Sequence, residues 1–181
     1  MSGKGAGFGG AGGLVGGGTM RLLASLLSAL AAPVAAADLT IDTGQPRIPT
    51  TEALLARPDA ATTTVPDDAS YGRATTYRAM LFAALIGRAP PEDQDVSLAA
   101  RDGFVTNLPR ALVTAPGSGE AVPWLAIEPP DAPWPPTPGG KATGPFYLVW
   151  LDPAASGILR EQWPFAVIRI GLVSDAAARW P

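Results

Sequence analysis

The sequence predicts a mixed α+β domain, mostly β-sheet with a few short helices. Three observations carry this. Apolar residues make up 47% of the 181-residue chain and charged residues only 16%, enough to build a core. Two apolar runs of strand length, "GPFYLVWL" and "WPFAVIRIGLV", stand near the end, and an alternating stretch, "DVSLAARDGFVTNL", precedes them. The helical signals between these runs are short and are cut by proline or glycine.

In chain order, residues 1–19 hold ten glycines. Gly5–Gly10 spell G-x-G-x-x-G, but no strand precedes the glycines and no helix follows them, so the tract reads as a disordered extension rather than a nucleotide loop. At Met20-Arg21 the character changes. One cation is followed by the apolar run Leu22–Ala32, then Pro33, then Ala35-Ala36-Ala37 before Asp38. This is the layout of a secretory signal peptide with an A-x-A cleavage site. The apolar stretch is shorter than the about 20 residues a spanning helix needs, and an uncleaved anchor is the alternative. The expected organisation is an extension and signal peptide over 1–37, starting at Met20 and cut before Asp38, then a single domain over 38–181. Such a chain would be periplasmic or secreted, with no stable membrane span after cleavage.

Lys4 and Arg21 lie upstream of Asp38, leaving 11 basic residues against 16 acidic, a net charge of −5. Nucleic acid is excluded as a partner, because that surface must be basic to displace counterions.

"LTIDTG" (39–44) alternates and reads as a strand. "TTEALLARPD" reads as a helix capped by Thr50 or Thr51 and stopped at Pro58. "ATTTVP" is a β-branched strand, and "PDDASYG" a turn. Tyr77, Met80, Leu81, Ala84 and Leu85 fall at helical spacing, so a helix is expected within Thr75–Gly87, firmest over Met80–Ile86, with an extended start as the alternative for the first residues and Gly87 as its stop. Val96, Leu98 and Ala100 share one side of a strand, and Asp102-Gly103 is expected as a two-residue hairpin turn. Asn107 is then the expected cap of a short helix with Pro109 in its first turn. "AVPWLAI" is a strand whose proline suggests an edge position. From Glu128 to Gly140 six of 13 residues are proline, so no ladder forms there. Pro130…Pro133 and Pro133…Pro136 match P-x-x-P, but a strand follows at once, and the segment reads as a stiff surface loop rather than a ligand peptide or a linker.

The chain has no cysteine and no histidine. Thiolate and imidazole chemistry are therefore absent: no Cys nucleophile, no Ser–His–Asp mechanism at Ser118, no iron–sulfur cluster and no ordinary zinc or copper site. Asp67-Asp68 and Glu92-Asp93-x-Asp95 are the acidic clusters left for a carboxylate hydrolase or lyase, and both read as solvated turns.

The order "YRAMLFAALIG", "VSLAARDGFVTNLP", "PWLAIEPPDAPWPP", "GPFYLVW", "WPFAVIRIGLV" resembles the molybdopterin-binding domain of sulfite oxidase-like oxidoreductases, over roughly Leu39 to Val173. Its most specific pieces are Asp102-Gly103-Phe104 and Gly144–Val149. The resemblance implies an α+β domain dominated by sheet. It also implies molybdenum held by a pterin dithiolene and one protein cysteine, and this chain has no such cysteine. No catalytic residue is carried over. The expectation is thus a non-enzymatic, cofactor-free binding or accessory module, with a periplasmic or membrane redox protein as partner. Its groove would be lined by Tyr71, Arg73, Arg101, Trp150 and Trp163. The alternative is a molybdopterin-dependent oxidoreductase in which Asp102 or a serine supplies an oxygen ligand.

Overall fold

Eight strands form two four-stranded sheets in a computed structural model that describes residues 39–114 and 119–174. The expected signal peptide and Ser118 lie outside the described residues. The first sheet has the order β1-β8-β4-β5, with β1 Thr40–Asp42, β4 Gln94–Ala100, β5 Val105–Leu108 and β8 Val167–Ser174. β1 runs parallel to β8; the other pairs are antiparallel. The second sheet, β2-β3-β6-β7, is antiparallel throughout and comprises β2 Ala61–Val65, β3 Thr75–Leu81, β6 Val122–Ile127 and β7 Phe146–Leu151. Three short helices, α1 Thr51–Leu55, α2 Phe82–Ile86 and α3 Arg110–Val113, complete a mixed α+β domain that is mainly sheet. No helix among the described residues is long and apolar enough to cross a membrane.

The core joins both sheets. Leu39, just before β1, and Ile41, Val96, Leu98 and Ile170 from the first meet Met80, Leu125, Leu148 and Trp150 from the second in one cluster. β7 is buried on both faces from Phe146 to Trp150, which is why it reads as a continuous apolar run rather than an alternating one. Its outer edge is covered: the Leu148 N–H donates to the Pro164 carbonyl at 3.0 Å, and Tyr147 bridges to Phe165. The edge is therefore not left as a template for other strands.

α1 forms as expected, with the Thr50 hydroxyl accepting from the Ala53 N–H at 3.2 Å. Four other expectations are corrected. Residues Thr75–Leu81 form β3, and the helix is confined to Phe82–Ile86. Paired antiparallel to β2 on one side and β6 on the other, β3 gains two ladders, and this outweighs the helical spacing of its apolar residues. Gly87 does end α2, at φ 77°. The hairpin loop is three residues, Arg101–Gly103. The Ala100 N–H donates to the Phe104 carbonyl, the Gly103 N–H to the Ala100 carbonyl, and only Gly103 (φ 88°) is left-handed. Asn107 lies inside β5 rather than capping α3; the Arg110 N–H is instead accepted by Asp95 Oδ1 at 2.9 Å. β6 is central, not an edge. Its Pro123 pairs only with Trp150 of β7, beyond Trp124 where β3 stops pairing, so its missing N–H costs no ladder bond on that side.

Candidate functional site

The proline-rich segment is folded as a strap over the second sheet. Trp134 packs edge-on against Tyr77 of β3, with centroids 4.9 Å apart. The Pro135 carbonyl accepts from the Tyr71 hydroxyl at 2.8 Å. The strap begins at Glu128, whose Oε1 accepts the Trp134 N–H at 2.6 Å, and returns past Gly144, where a Cβ would run into the Glu128 carboxyl. Its P-x-x-P repeats are thus part of a loop anchored to the domain through Trp134 and Pro135.

The end of the strap meets the hairpin through one residue. Ala166 donates its N–H to the Thr143 carbonyl and accepts the Arg101 N–H at its own carbonyl, both at 2.9 Å. It does so at φ 50°, a conformation that costs an L-residue about 1–2 kcal/mol, so these contacts hold it there. This junction opens a cleft of about 190 Å³ between the hairpin turn and the segment leading into β8. Asp102 and Phe104 form one wall, Arg160, Glu161, Trp163 and Phe165 the other, and Lys141 arrives from the strap. The Lys141 ammonium stands 5.7 Å from the Phe165 ring centroid, within cation–π range. Phe104 is 42% exposed, a large apolar side chain at the mouth.

A second, larger cavity of about 420 Å³ is bounded by Val65, Pro66, Asp67, Gly119, Trp150 and Asp152–Ala155. Among the described residues its walls offer carboxylates and apolar groups but no cation. Two cations and two carboxylates beside three aromatic rings make the smaller cleft the better-equipped site.

A second cluster is built on a buried carboxylate. Asp68, expected in a solvated turn, has no exposed surface. Its Oδ1 accepts the Ser70 and Tyr71 N–H groups at 2.8 and 2.9 Å and the Tyr147 hydroxyl at 3.2 Å; Oδ2 accepts the Tyr77 hydroxyl at 2.8 Å. Burial is the first cause raising Tyr77 and Tyr147 far above the ordinary phenol range, and the Asp68 charge and hydrogen bonds add to it. Burial also raises Tyr71, against the lowering effect of its Thr143 hydrogen bond.

The five residues expected to line one groove are dispersed. Trp163 lines the cleft, and Arg101 is exposed on the adjoining hairpin. Tyr71 is buried with its hydroxyl shared between Pro135 and Thr143, and Arg73 is exposed at the far end of its turn. Trp150 is buried in the core, its Nε1–H donating to the Gln162 carbonyl at 2.7 Å, and borders the larger cavity instead. Lys141 and Arg160 were not anticipated, since 19 positions separate them and neither stands in a motif. The Asp68 cluster had one local signal, an Asp two residues before a Ser in a turn, which is the Asx-turn pattern seen at Ser70.

The donor set does not suit a molybdenum–thiolate centre. The chain has no cysteine; Asp102 is exposed and its Oδ1 accepts the Phe104 N–H of its own turn at 3.0 Å. Asp68 already accepts four hydrogen bonds, and no cluster of three or more metal-ligating side chains occurs among the described residues. A scan against protein-family models finds no match for this chain, and a search of curated proteins finds none.

Proposed function

We propose that the chain is an exported, cofactor-free binding or accessory module, built on a domain resembling the molybdopterin-binding domain of sulfite oxidase-like enzymes and serving a periplasmic or membrane redox partner. The cleft between Phe104 and Phe165 is its binding site. The observation that carries this is the pairing of Lys141 and Arg160 with Phe104, Trp163 and Phe165 around one opening, in a chain whose donors do not fit the metal centre of that family. Charges of both signs set on aromatic walls receive a partner segment or ligand that carries charge on an apolar body, and they need no reactive centre to do so.

The test is native mass spectrometry of the protein recovered from its host's exported fraction, beside K141E/R160E. The expected result is a bound species on the wild type that the double variant loses while keeping its denaturation midpoint. Equal retention by both proteins would contradict the assignment of the cleft.

A further inference from the structure

Each four-stranded sheet has two outer strands, and most of these edges are closed or polar. At β1, Ile41 exchanges both backbone hydrogen bonds with Arg47, each at 2.9 Å. β7 is covered by the segment at Pro164, and the side chains that β2 exposes are threonines, with Val65 buried. β5 differs. The Ala100 N–H donates to the Phe104 carbonyl, and bonded pairs alternate along an antiparallel ladder, so Thr106 and Leu108 bond toward β4. The N–H and C=O groups of Val105 and Asn107 therefore point outward from the edge, and no described residue takes them. Val105 is 55% exposed, and Leu159, just before the turn of 3-10 helix Arg160–Gln162 that packs beside β5, is 59% exposed. With Phe104 they are three of the five large apolar side chains left exposed among the described residues. β5 carries no lysine or proline to block pairing with another strand.

The charges beside this edge come as adjacent opposites. Arg101 and Asp102 stand in the hairpin turn, and Arg160 and Glu161 in the 3-10 turn. All four residues are exposed, and none joins an ion pair among the described residues. A partner of one sign would set like charges against half of them. A surface turned onto a second copy of itself by a two-fold axis can set each sign against its opposite.

We propose that β5 is the interface between two copies of this chain. The two β5 strands pair antiparallel about a two-fold axis at Thr106, so the first sheets of both copies become one continuous sheet. Val105 of each copy exchanges both backbone hydrogen bonds with Asn107 of the other. The two Val105 side chains lie diagonally across the seam on one face, where they shield each other from water. Neither Val105 nor Asn107 lines the cleft, so the inference goes beyond the reading of that site and stands without it.

The experiment is sedimentation equilibrium and native mass spectrometry of the purified protein at up to about 200 μM, because a seam this short belongs with weak interfaces. The wild type is expected to reach the mass of two copies. V105P removes an outward N–H and no bond to β4. V105K sets two ammonium groups across the seam and leaves the core untouched. Each is expected to weaken association by about tenfold or more, and V105K to keep the wild-type denaturation midpoint. T62K, on the polar β2 edge, is expected to associate as the wild type does. A wild type that remains a single copy at the highest concentration would overturn the proposal. So would a dimer that V105P and V105K leave unchanged, or a single copy that instead holds a different polypeptide in a Val105-dependent complex. V105K is expected to retain any species held in the cleft, so loss of the dimer and loss of that species are read separately.

Discussion

Replacing Asp68 by alanine removes a single acceptor group that ties a turn to two strands. Its two oxygens take hydrogen bonds from Ser70, Tyr71, Tyr77 and Tyr147, linking the 68–73 turn to β3 and β7. Ser70 is half-buried and finds water, and the Tyr147 hydroxyl keeps its Ser70 contact, but the Tyr71 N–H and the Tyr77 hydroxyl are buried and lose their acceptor. Each orphaned buried donor costs about 1–3 kcal/mol, so the two together destabilise the chain by roughly 3 kcal/mol after the gain from no longer burying a charge. Asp68→Asn keeps one carbonyl for the backbone amides and loses only the charge-assisted bond to Tyr77, about 2 kcal/mol. Urea denaturation followed by tryptophan fluorescence measures both, since Trp134 packs on Tyr77 and Trp163 lies against Tyr147. With a urea dependence of about 2 kcal/mol per molar, the alanine variant shifts the midpoint down by roughly 1.5 M. An alanine variant within about 1 kcal/mol of wild type would show that the donors find other partners and that the carboxylate does not hold the turn to the sheet.

The same cluster sets the alkaline limit of the fold. In the unfolded chain tyrosines ionise near pH 10, while buried Tyr77 and Tyr147 stay protonated well above it. Above that pH the folded state binds more protons than the unfolded one, so stability falls by up to about 1.4 kcal/mol per pH unit for each tyrosine. Phenolate absorbance from these two is expected to appear only with cooperative unfolding; a gradual titration at the ordinary value in the folded chain would contradict their burial. Gly144→Ala forces the Glu128 carboxyl away from its bond to the Trp134 N–H. It is expected to destabilise by about 1–3 kcal/mol and to change Trp134 fluorescence as the strap loosens, and an unchanged spectrum and midpoint would refute the clasp at Glu128.

What could be read in advance was the local pattern. The hairpin's buried Val96, Leu98 and Ala100 follow from strict alternation. β7 and β8 follow from apolar runs, and α1 from its threonine cap. The errors came where partners distant in sequence decide. Thr75–Leu81 carries helical spacing, yet it has a strand on either side. Pro123 suggests an edge, yet it sits where one neighbour has already stopped pairing. Asp68 reads as a solvated turn because the phenols that enclose it come from positions 77 and 147, brought together only when both strands join one sheet. The cleft was half legible. Trp163 and the Asp102–Phe104 turn stood out, whereas Lys141 and Arg160 acquire meaning only when the strap folds back and Ala166 joins it to the hairpin.

The most direct test of a binding module without a redox centre is the molybdenum and pterin content of the full chain purified from its natural source, measured together with any turnover. The expected result is neither metal nor pterin in stoichiometric amount, with a species held at the Lys141–Arg160 cleft. One molybdenum and one pterin per chain, accompanied by oxidation or reduction of a substrate, would contradict it.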